Sequence, residues 1–392
     1  MLHSLYLAWR YILHNKIKTI IMVASITVII YLPIGLNILV NQSEKQLMER
    51  ASSTPLIVGA KGSSLDLAIN TLYFEPADFD ELTMLAVDKI YETEFAVPIP
   101  MFIKFKARSF PIIGTDVEYF DFRELEIERG ESLAVLGDCV IGFEVSEELG
   151  LNPGDTIISS PENMLDIAGV YPLKMNIVGV LKESHSPDDR AIFTDMKTTW
   201  VIEGLGHGHE DLAKSEDKSV LLGVEGGNYI ANAKLFQYNK ISADNVDEFH
   251  FHGEQAGFPV TAVIVVPHSD KDEALLMGRY ISKGETSQIV KPDKVIKNLL
   301  ESIFKIKGFL DSIFFIVAIS TILLLGLVVL LSLRLRSREI QTMYRIGSSK
   351  FKIAELLGFE IGIIFIISLV FSTILITATI RYVTEFIRIF IV

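Results

Sequence analysis

RLRSREIQTMYRIGSSKFK, residues 334–352, lies between two of the most apolar stretches of the chain and carries six basic residues against a single acid, Glu339. The whole chain has a formal net charge of −13, so a local basic excess needs a cause. Short loops rich in Lys and Arg stay on the cytoplasmic side when their flanking helices insert. The segment is therefore expected in the cytoplasm, where it fixes the orientation of everything around it.

Working outward, a helix needs about 20 apolar residues to cross the hydrocarbon core. Thr19–Val40, Ser312–Leu333 and Ile361–Ile380 meet that need without one charged side chain. The first is preceded by YLAWRYILHNKIK, residues 6–18, with Arg10, Lys16, Lys18 and no acid, which places the N-terminus in the cytoplasm as well. This start lacks the small-residue cleavage site of a removable signal peptide. The tail RYVTEFIRIFIV is too short for an ordinary crossing, and its alternation of charge with bulky apolar residues fits a helix in the outer interface. The expected order is a cytoplasmic amphipathic helix over 1–18, a transmembrane helix over 19–40, a water-facing domain over 41–306, and a second transmembrane helix over 307–333. The cytoplasmic segment 334–352, a third transmembrane helix over 353–380 and an interfacial helix over 381–392 complete it.

Hydrophobic residues make up 49% of the chain and charged ones 22%, with a mean hydropathy of +0.38. That mixture calls for a few spanning helices plus a sizeable polar domain. All but five of the 49 acids fall between 42 and 306, which argues against nucleic acid as a partner. PLIVGAKGS, FAVPIPMFIKF, FPIIGTD, CVIGFEV, DTIISS, MNIVGVL and VTAVIVVP read as strands, being short apolar runs bounded by turn residues. DFDELTMLAVDKI and DEALLMGRYISK read as helices, each with an acidic first turn. QSEKQLMERAS and PDKVIKNLLESIFKIKGFL have helical spacing and run into the first and second membrane helices as a stalk. The fold class is an α+β membrane protein. It has three transmembrane helices, or four if the tail hides a further crossing, and a large α+β extracytoplasmic domain between helices one and two. Pro33 should kink the first helix, and the single Cys139 excludes an intrachain disulfide.

The usual signatures of catalysis are missing. GAKGSS at 59–64 has its Lys in the wrong place for a phosphate-binding loop, and neither a zinc-protease helix motif nor a nucleophile elbow occurs. The chain is expected to be non-catalytic. Two pairs of histidines stand out in a chain with only eight: His207-Gly-His209-Glu210-Asp211 and His250-Phe-His252-Gly-Glu254. In an extended segment, i and i+2 share one side, and imidazole with carboxylate suits Zn²⁺. His207, His209, His250 and His252 are the candidate metal ligands, with ordinary surface histidines as the alternative.

One amino-proximal helix, a large outer domain, and a second helix followed by an R-x-R-E-I-x-x-x-x-x-I-G-S segment together resemble the ABC-transporter permeases of the MacB, FtsX and LolC/LolE type. FPIIGTDVEYFDF, ELEIERGESL, VLGDCVIGFEVSEELGLNPGDTI and NIVGVL follow that family's order through the soluble domain, while roughly 184–260 lies outside the resemblance. The family has four spanning helices where this chain shows three. The resemblance implies that Arg338, Glu339, Ile340, Arg345, Ile346, Gly347 and Ser348 form a coupling segment that docks on a separate cytoplasmic ATPase. The residues are compatible. Arg338 and Glu339 offer charged contacts, Ile340, Met343 and Tyr344 an apolar face, and Gly347 a helix stop. The alternative is that the basic residues only set topology and bind anionic lipid.

The resemblance further implies a cell inner membrane location with a periplasmic domain, a second permease subunit in a homodimer, and an extracytoplasmic soluble or lipoprotein partner. The function it implies is mechanotransmission, in which ATP-driven motion in the cytoplasm is passed to the outer domain. A regulatory complex of the FtsX kind and a stand-alone metal-sensing receptor are the competing readings.

Overall fold

Apolar runs with β-branched residues become strands when both faces of the sheet can be covered, and here they do so between two of the long helices. The computed structural model describes residues 2–76, 80–160, 172–208, 221–225, 228–231, 239–242, 245–246, 249–280, 286–335 and 337–390. The chain divides into two units, one of Met1–Leu47 with Asn298–Val392 and one of Met48–Lys297.

The helices are α1 (Leu2–His14), α2 (Lys16–Ser52), α3 (Ser64–Tyr73), α4 (Met84–Tyr91), α5 (Glu118–Phe122), α6 (Phe143–Leu149), α7 (Met196–Glu203), α8 (Asp270–Arg279), α9 (Pro292–Leu335), α10 (Ser337–Arg345) and α11 (Lys350–Phe390). The first nine strands are β1 (Leu56–Ala60), β2 (Leu82–Thr83), β3 (Ala96–Ala107), β4 (Phe110–Thr115), β5 (Ile127–Gly130), β6 (Asp138–Ile141), β7 (Thr156–Ile158), β8 (Leu173–Leu181) and β9 (Ile192–Asp195). The remaining eight are β10 (Gly206–Gly208), β11 (Leu221–Glu225), β12 (Asn228–Ala231), β13 (Asn239–Lys240), β14 (Phe249–Phe251), β15 (Pro259–Val260), β16 (Ala262–Pro267) and β17 (Ser287–Val290).

In the unit Met48–Lys297 the main sheet runs in the order β13-β8-β6-β9-β4-β3-β16-β1-β17, with β5 and β7 also paired to β8. Pairing is mixed. β4 runs parallel to β9 and β6 to β8, whereas β3–β4, β16–β3 and β1–β16 are antiparallel. Every residue of β1 and β6 is buried, which is why Leu56–Ala60 and, after Asp138, Cys139–Ile141 read as continuous apolar runs and not as alternation. Helices α3 and α7 pack on the sheet. Both start where a short polar side chain captures a free backbone amide: Ser63 accepts from Asp66 N, and Asp195 from Thr198 N. Cys139 is a buried free thiol on β6, and burial pushes it far up from the ordinary thiol range.

Three expectations change in detail. CVIGFEV is strand only to Ile141; at Gly142 the chain leaves the sheet, its carbonyl takes the first helical bond from Ser146 N, and Phe143 opens α6. DFDELTMLAVDKI becomes helical only from Met84, because Leu82–Thr83 pair with Pro259–Val260 and hold the preceding backbone extended. The acidic first turn expected for that helix is accordingly absent. DEALLMGRYISK starts two residues earlier than its first acid, at Asp270, capped by the Ser269 hydroxyl.

In the other unit, three helices among the described residues are long and apolar enough to cross a membrane, over Lys16–Ser52, Asp311–Leu331 and Lys350–Tyr382. This is a membrane protein with a large α+β domain. Pro33 lies inside α2 without ending it. The separate helix expected over 381–392 is instead the end of α11, which continues to Phe390. After Gly362 no Gly or Pro interrupts the sequence, so nothing stops the helix.

α2 and α11 face each other through small polar residues. Thr27 Oγ1 donates to the Ser368 carbonyl at 3.3 Å, Ser372 Oγ to the Thr27 carbonyl at 3.0 Å, and Tyr31 Oη meets Thr379 Oγ1 at 2.9 Å. Small side chains let two apolar helices approach closely, and their hydroxyls join backbone to backbone where lipid offers no partner.

Candidate functional site

Ile340, Met343 and Tyr344 recur at i, i+3 and i+4, and on a nine-residue helix that spacing makes one apolar stripe among polar neighbours. Gly347 stops α10 by adopting a φ of +100°, in the left-handed region that favours glycine. The two bonds of a Schellman ending follow, Ser348 N to the Met343 carbonyl at 3.0 Å and Gly347 N to the Tyr344 carbonyl at 3.1 Å. The stop expected from sequence at Gly347 is thus present as a defined cap. Near the start, Thr342 Oγ1 donates back to the Arg338 carbonyl at 2.9 Å.

Exposure varies along this stretch. Ile340 and Met343 are half-buried, whereas Tyr344 is exposed, as are Ile346 at 80% and Phe351 at 82%. Arg338 and Arg345 are exposed and Ser348 is half-buried. The Glu339 side chain lies outside the described ones. Phe351 was not singled out by the motif, although its place beside Lys350 and Lys352 in a basic stretch is the signal that could have found it.

A second constellation sits in the unit Met48–Lys297, where the last turn of α2 enters it. Arg50, only 8% exposed, donates through Nη1 to Asp188 Oδ2 at 2.6 Å and through Nη2 to Asp188 Oδ1 at 3.1 Å, a two-pronged pairing with a carboxylate that is 1% exposed. Its Nη2 also donates to Tyr119 Oη at 2.9 Å, its Nε donates to the Leu72 carbonyl, and its guanidinium lies 5.4 Å from the centre of the Phe74 ring. Tyr119 Oη donates to Asp188 Oδ1 at 2.7 Å, and Ser186 Oγ donates to Asp188 Oδ2 at 2.7 Å. Arg123 caps the same turn of α2 from outside, donating to Ser53 Oγ at 3.0 Å and Thr54 Oγ1 at 2.7 Å.

Burial alone would push the Asp188 carboxyl up. The charge and hydrogen bonds of Arg50, with help from Arg123 and Tyr119, outweigh it and hold the group at about 2. One arginine thus joins the end of α2 to α3, to α5 and to the turn at 187–190. Sequence reasoning missed it, because an Arg in a polar helix reads as solvated and Asp188 lies in the stretch outside the family resemblance.

Glu360, next to the charge-free run 361–380 on α11, is 6% exposed and paired with Lys18 Nζ at 3.2 Å. Asp311 is exposed. The candidate metal ligands divide. His207 on β10 and His250 on β14 are direct partners in an antiparallel ladder, and the His250 and His252 rings lie 4.8 Å apart at 77°. His209 lies outside the described residues, and so does the side chain at position 207. Among the described side chains, no group of three His, Cys, Asp or Glu is gathered as a metal site.

No family model matches the chain, and no curated protein matches it. Among solved structures it is similar to the periplasmic region of MacB from Actinobacillus actinomycetemcomitans, with 11% identity and a TM-score of 0.36 over 64% of this chain and 97% of that one. It is also similar to the extracellular domain of the noncanonic ABC-type transporter YknZ from Gram-positive bacteria, with 12% identity and a TM-score of 0.33 over 60% of this chain and 98% of that one. At those values neither likeness assigns a function.

Proposed function

We propose that this chain is the permease subunit of a MacB-type ABC transporter, receiving motion from a separate cytoplasmic ATPase at α10 and passing it to the α+β domain. The observation that carries the reading is α10 itself. It is a short amphipathic helix with a defined glycine stop, set between two membrane-spanning candidates, with basic residues and with Tyr344, Ile346 and Phe351 exposed. A segment that only fixed topology would need its charges but neither the cap nor exposed apolar residues. The charge-free runs 19–40, 312–333 and 361–380 offer no charged path for a solute, which supports a subunit that moves its outer domain and conducts nothing.

Force transfer in this scheme uses α2, which continues unbroken from Lys16 to Ser52 and ends in the Arg50–Asp188 pairing. The domain over 41–306 is extracytoplasmic, and the membrane is the cell inner membrane. The apolar exposed residues of α9 and α11, Phe315, Leu323 and Phe371 among them, face lipid and a second permease subunit of the same kind. ATP hydrolysis belongs to the ATPase, and this chain is non-catalytic. An extracytoplasmic soluble or lipoprotein partner is the recipient of the motion.

The test is purification of the full chain from native membranes with identification of stoichiometric partners. A nucleotide-binding ATPase subunit should accompany the wild-type chain, and Gly347→Pro should lose at least about 10-fold of it, because Pro cannot adopt the left-handed geometry. No ATPase with the wild-type chain, or equal recovery with Gly347→Pro, overturns the reading. The first of those outcomes leaves a stand-alone receptor.

A further inference from the structure

Asn15 separates α1 from α2, and the chain bends there. Thr19 Oγ1 donates to the Ile12 carbonyl at 3.2 Å, although a straight helix would hold residues seven apart about 10 Å from each other along its axis. The bend lays α1 against α11. Ile12 shares a buried cluster with Met22 and Ile364, each the fourth residue of a charge-free run, 19–40 and 361–380. This end of α1 therefore lies level with the first turn of two membrane spans, at the border between hydrocarbon and headgroups. The circumference of α1 divides into three arcs. Ala8 and Ile12, at 1% and 5% exposure, face the protein. Leu5, Tyr6, Trp9 and Leu13 are exposed, and at about 100° per residue they fall within one arc of about 100° that begins beside Ile12. His3, Arg10 and His14 are exposed on a narrower arc beyond Tyr6. Among the described apolar side chains of α1 that are exposed, only Leu7 falls on the polar side. Lys16, at the start of α2, is exposed as well, and the first acid of the chain is Glu44.

We propose that α1 docks on the membrane surface and gathers anionic phospholipid there, with Arg10 and Lys16 on the headgroup phosphates. A helix divided in this way and held at this level sets its exposed apolar arc in the acyl boundary and its cations toward the headgroups. Tryptophan and tyrosine, here Trp9 and Tyr6, are the side chains that favour that boundary. Charge selects the lipid. The segment before Glu44 carries cations and no carboxylate side chain, so it attracts a headgroup of net negative charge and gains little from a zwitterionic one. Each Lys or Arg near an anionic surface favours binding about 5-fold. A protein partner could also cover Leu5 and Trp9, but it would not require them level with the first turn of the spans. The surface is independent of the coupling reading, because it involves no residue of α10 and needs no ATPase.

The chain supplies its own reporter. It has two tryptophans, and Trp200 is 1% exposed inside the α+β unit, so the difference between wild type and Trp9→Phe isolates the fluorescence of Trp9. The full chain is reconstituted in nanodiscs of equal parts phosphatidylglycerol and phosphatidylcholine, with one lipid or the other brominated on its chains. Brominated lipid should quench Trp9, and the two quenching curves should give a local ratio of anionic to zwitterionic lipid of at least about 2-fold, a bound set below the 5-fold of a single cation. Arg10→Gln/Lys16→Gln should bring that ratio to about 1 and leave the summed quenching unchanged. Salt at about 1 M, where the screening length is about 3 Å, should do the same to the wild type without any substitution. Quenching of Trp9 by aqueous acrylamide alone, or by neither quencher because protein covers it, overturns the proposal. A ratio below about 2 at low salt, or one that survives both the double variant and the salt, overturns it as well.

Discussion

Replacing Arg50 by Ala removes four hydrogen bonds at once and leaves Asp188 as a carboxylate that is 1% exposed. Breaking a buried pair from one side costs about 3–5 kcal/mol, because the surviving charge is uncompensated. Arg123 remains close and acts on Asp188 in the same direction, which argues for the lower half of that range. For a unit of this size, Met48–Lys297, each kcal/mol moves Tm by about 2–4 °C, so the loss should be about 6–16 °C.

The pH dependence separates this account from a loss of packing. In the wild type the Asp188 carboxyl lies below its ordinary value, at about 2. Its contribution is complete above pH ~4 and is lost as pH falls through about 2; a shift of somewhat under two units amounts to about 2 kcal/mol. In Arg50→Ala burial dominates, so the carboxyl moves up instead. The variant is then penalised most at neutral pH and relieved as pH falls toward the raised value. Thermal unfolding of the full chain in detergent, at pH 7.5 and 5, should show a smaller gap between wild type and variant at the lower pH. The apolar pair Arg50→Met/Asp188→Leu should recover more than half of the loss, since it leaves no charge behind. A gap under 2 °C, a gap independent of pH, or a double variant no better than the single one would refute the reasoning.

Lys18→Met should destabilise the unit holding α1, α2 and α11 by about 1–3 kcal/mol through loss of the ion pair with the buried Glu360, and Lys18→Met/Glu360→Gln should restore part of that, both read as Tm in detergent. Cys139, at 0% exposure and with its thiol pushed well up, should resist a bulky maleimide for hours in folded protein and react within minutes in denaturant; rapid labelling of the native chain would contradict its placement on β6.

The elements legible in the sequence are those whose cause is local. Three charge-free apolar runs, the β-branched strands at 56–60 and 262–267, and Gly347 as a stop each need only neighbours in sequence to explain them. What escaped depends on contacts far apart along the chain. The start of α4 moves to Met84 because residues 259–260 capture residues 82–83, and no property of DFDELTM reports that pairing. Arg50 gives the sharpest case. In QSEKQLMERAS it is one of several charged positions on a helix that sequence alone would leave in water, and 138 residues separate it from Asp188. Only the fold makes it the least exposed charge of α2, and only the fold turns a helix end into an attachment point. The same reasoning explains the histidines. Their i, i+2 spacing is visible in each segment, but that position 207 falls opposite position 250 is a matter of ladder register. A shift of one residue would move every histidine on one strand to the other face. The Phe251 ring over Gly206 holds that register, so the packing of an apolar face decides which positions share the opposite one.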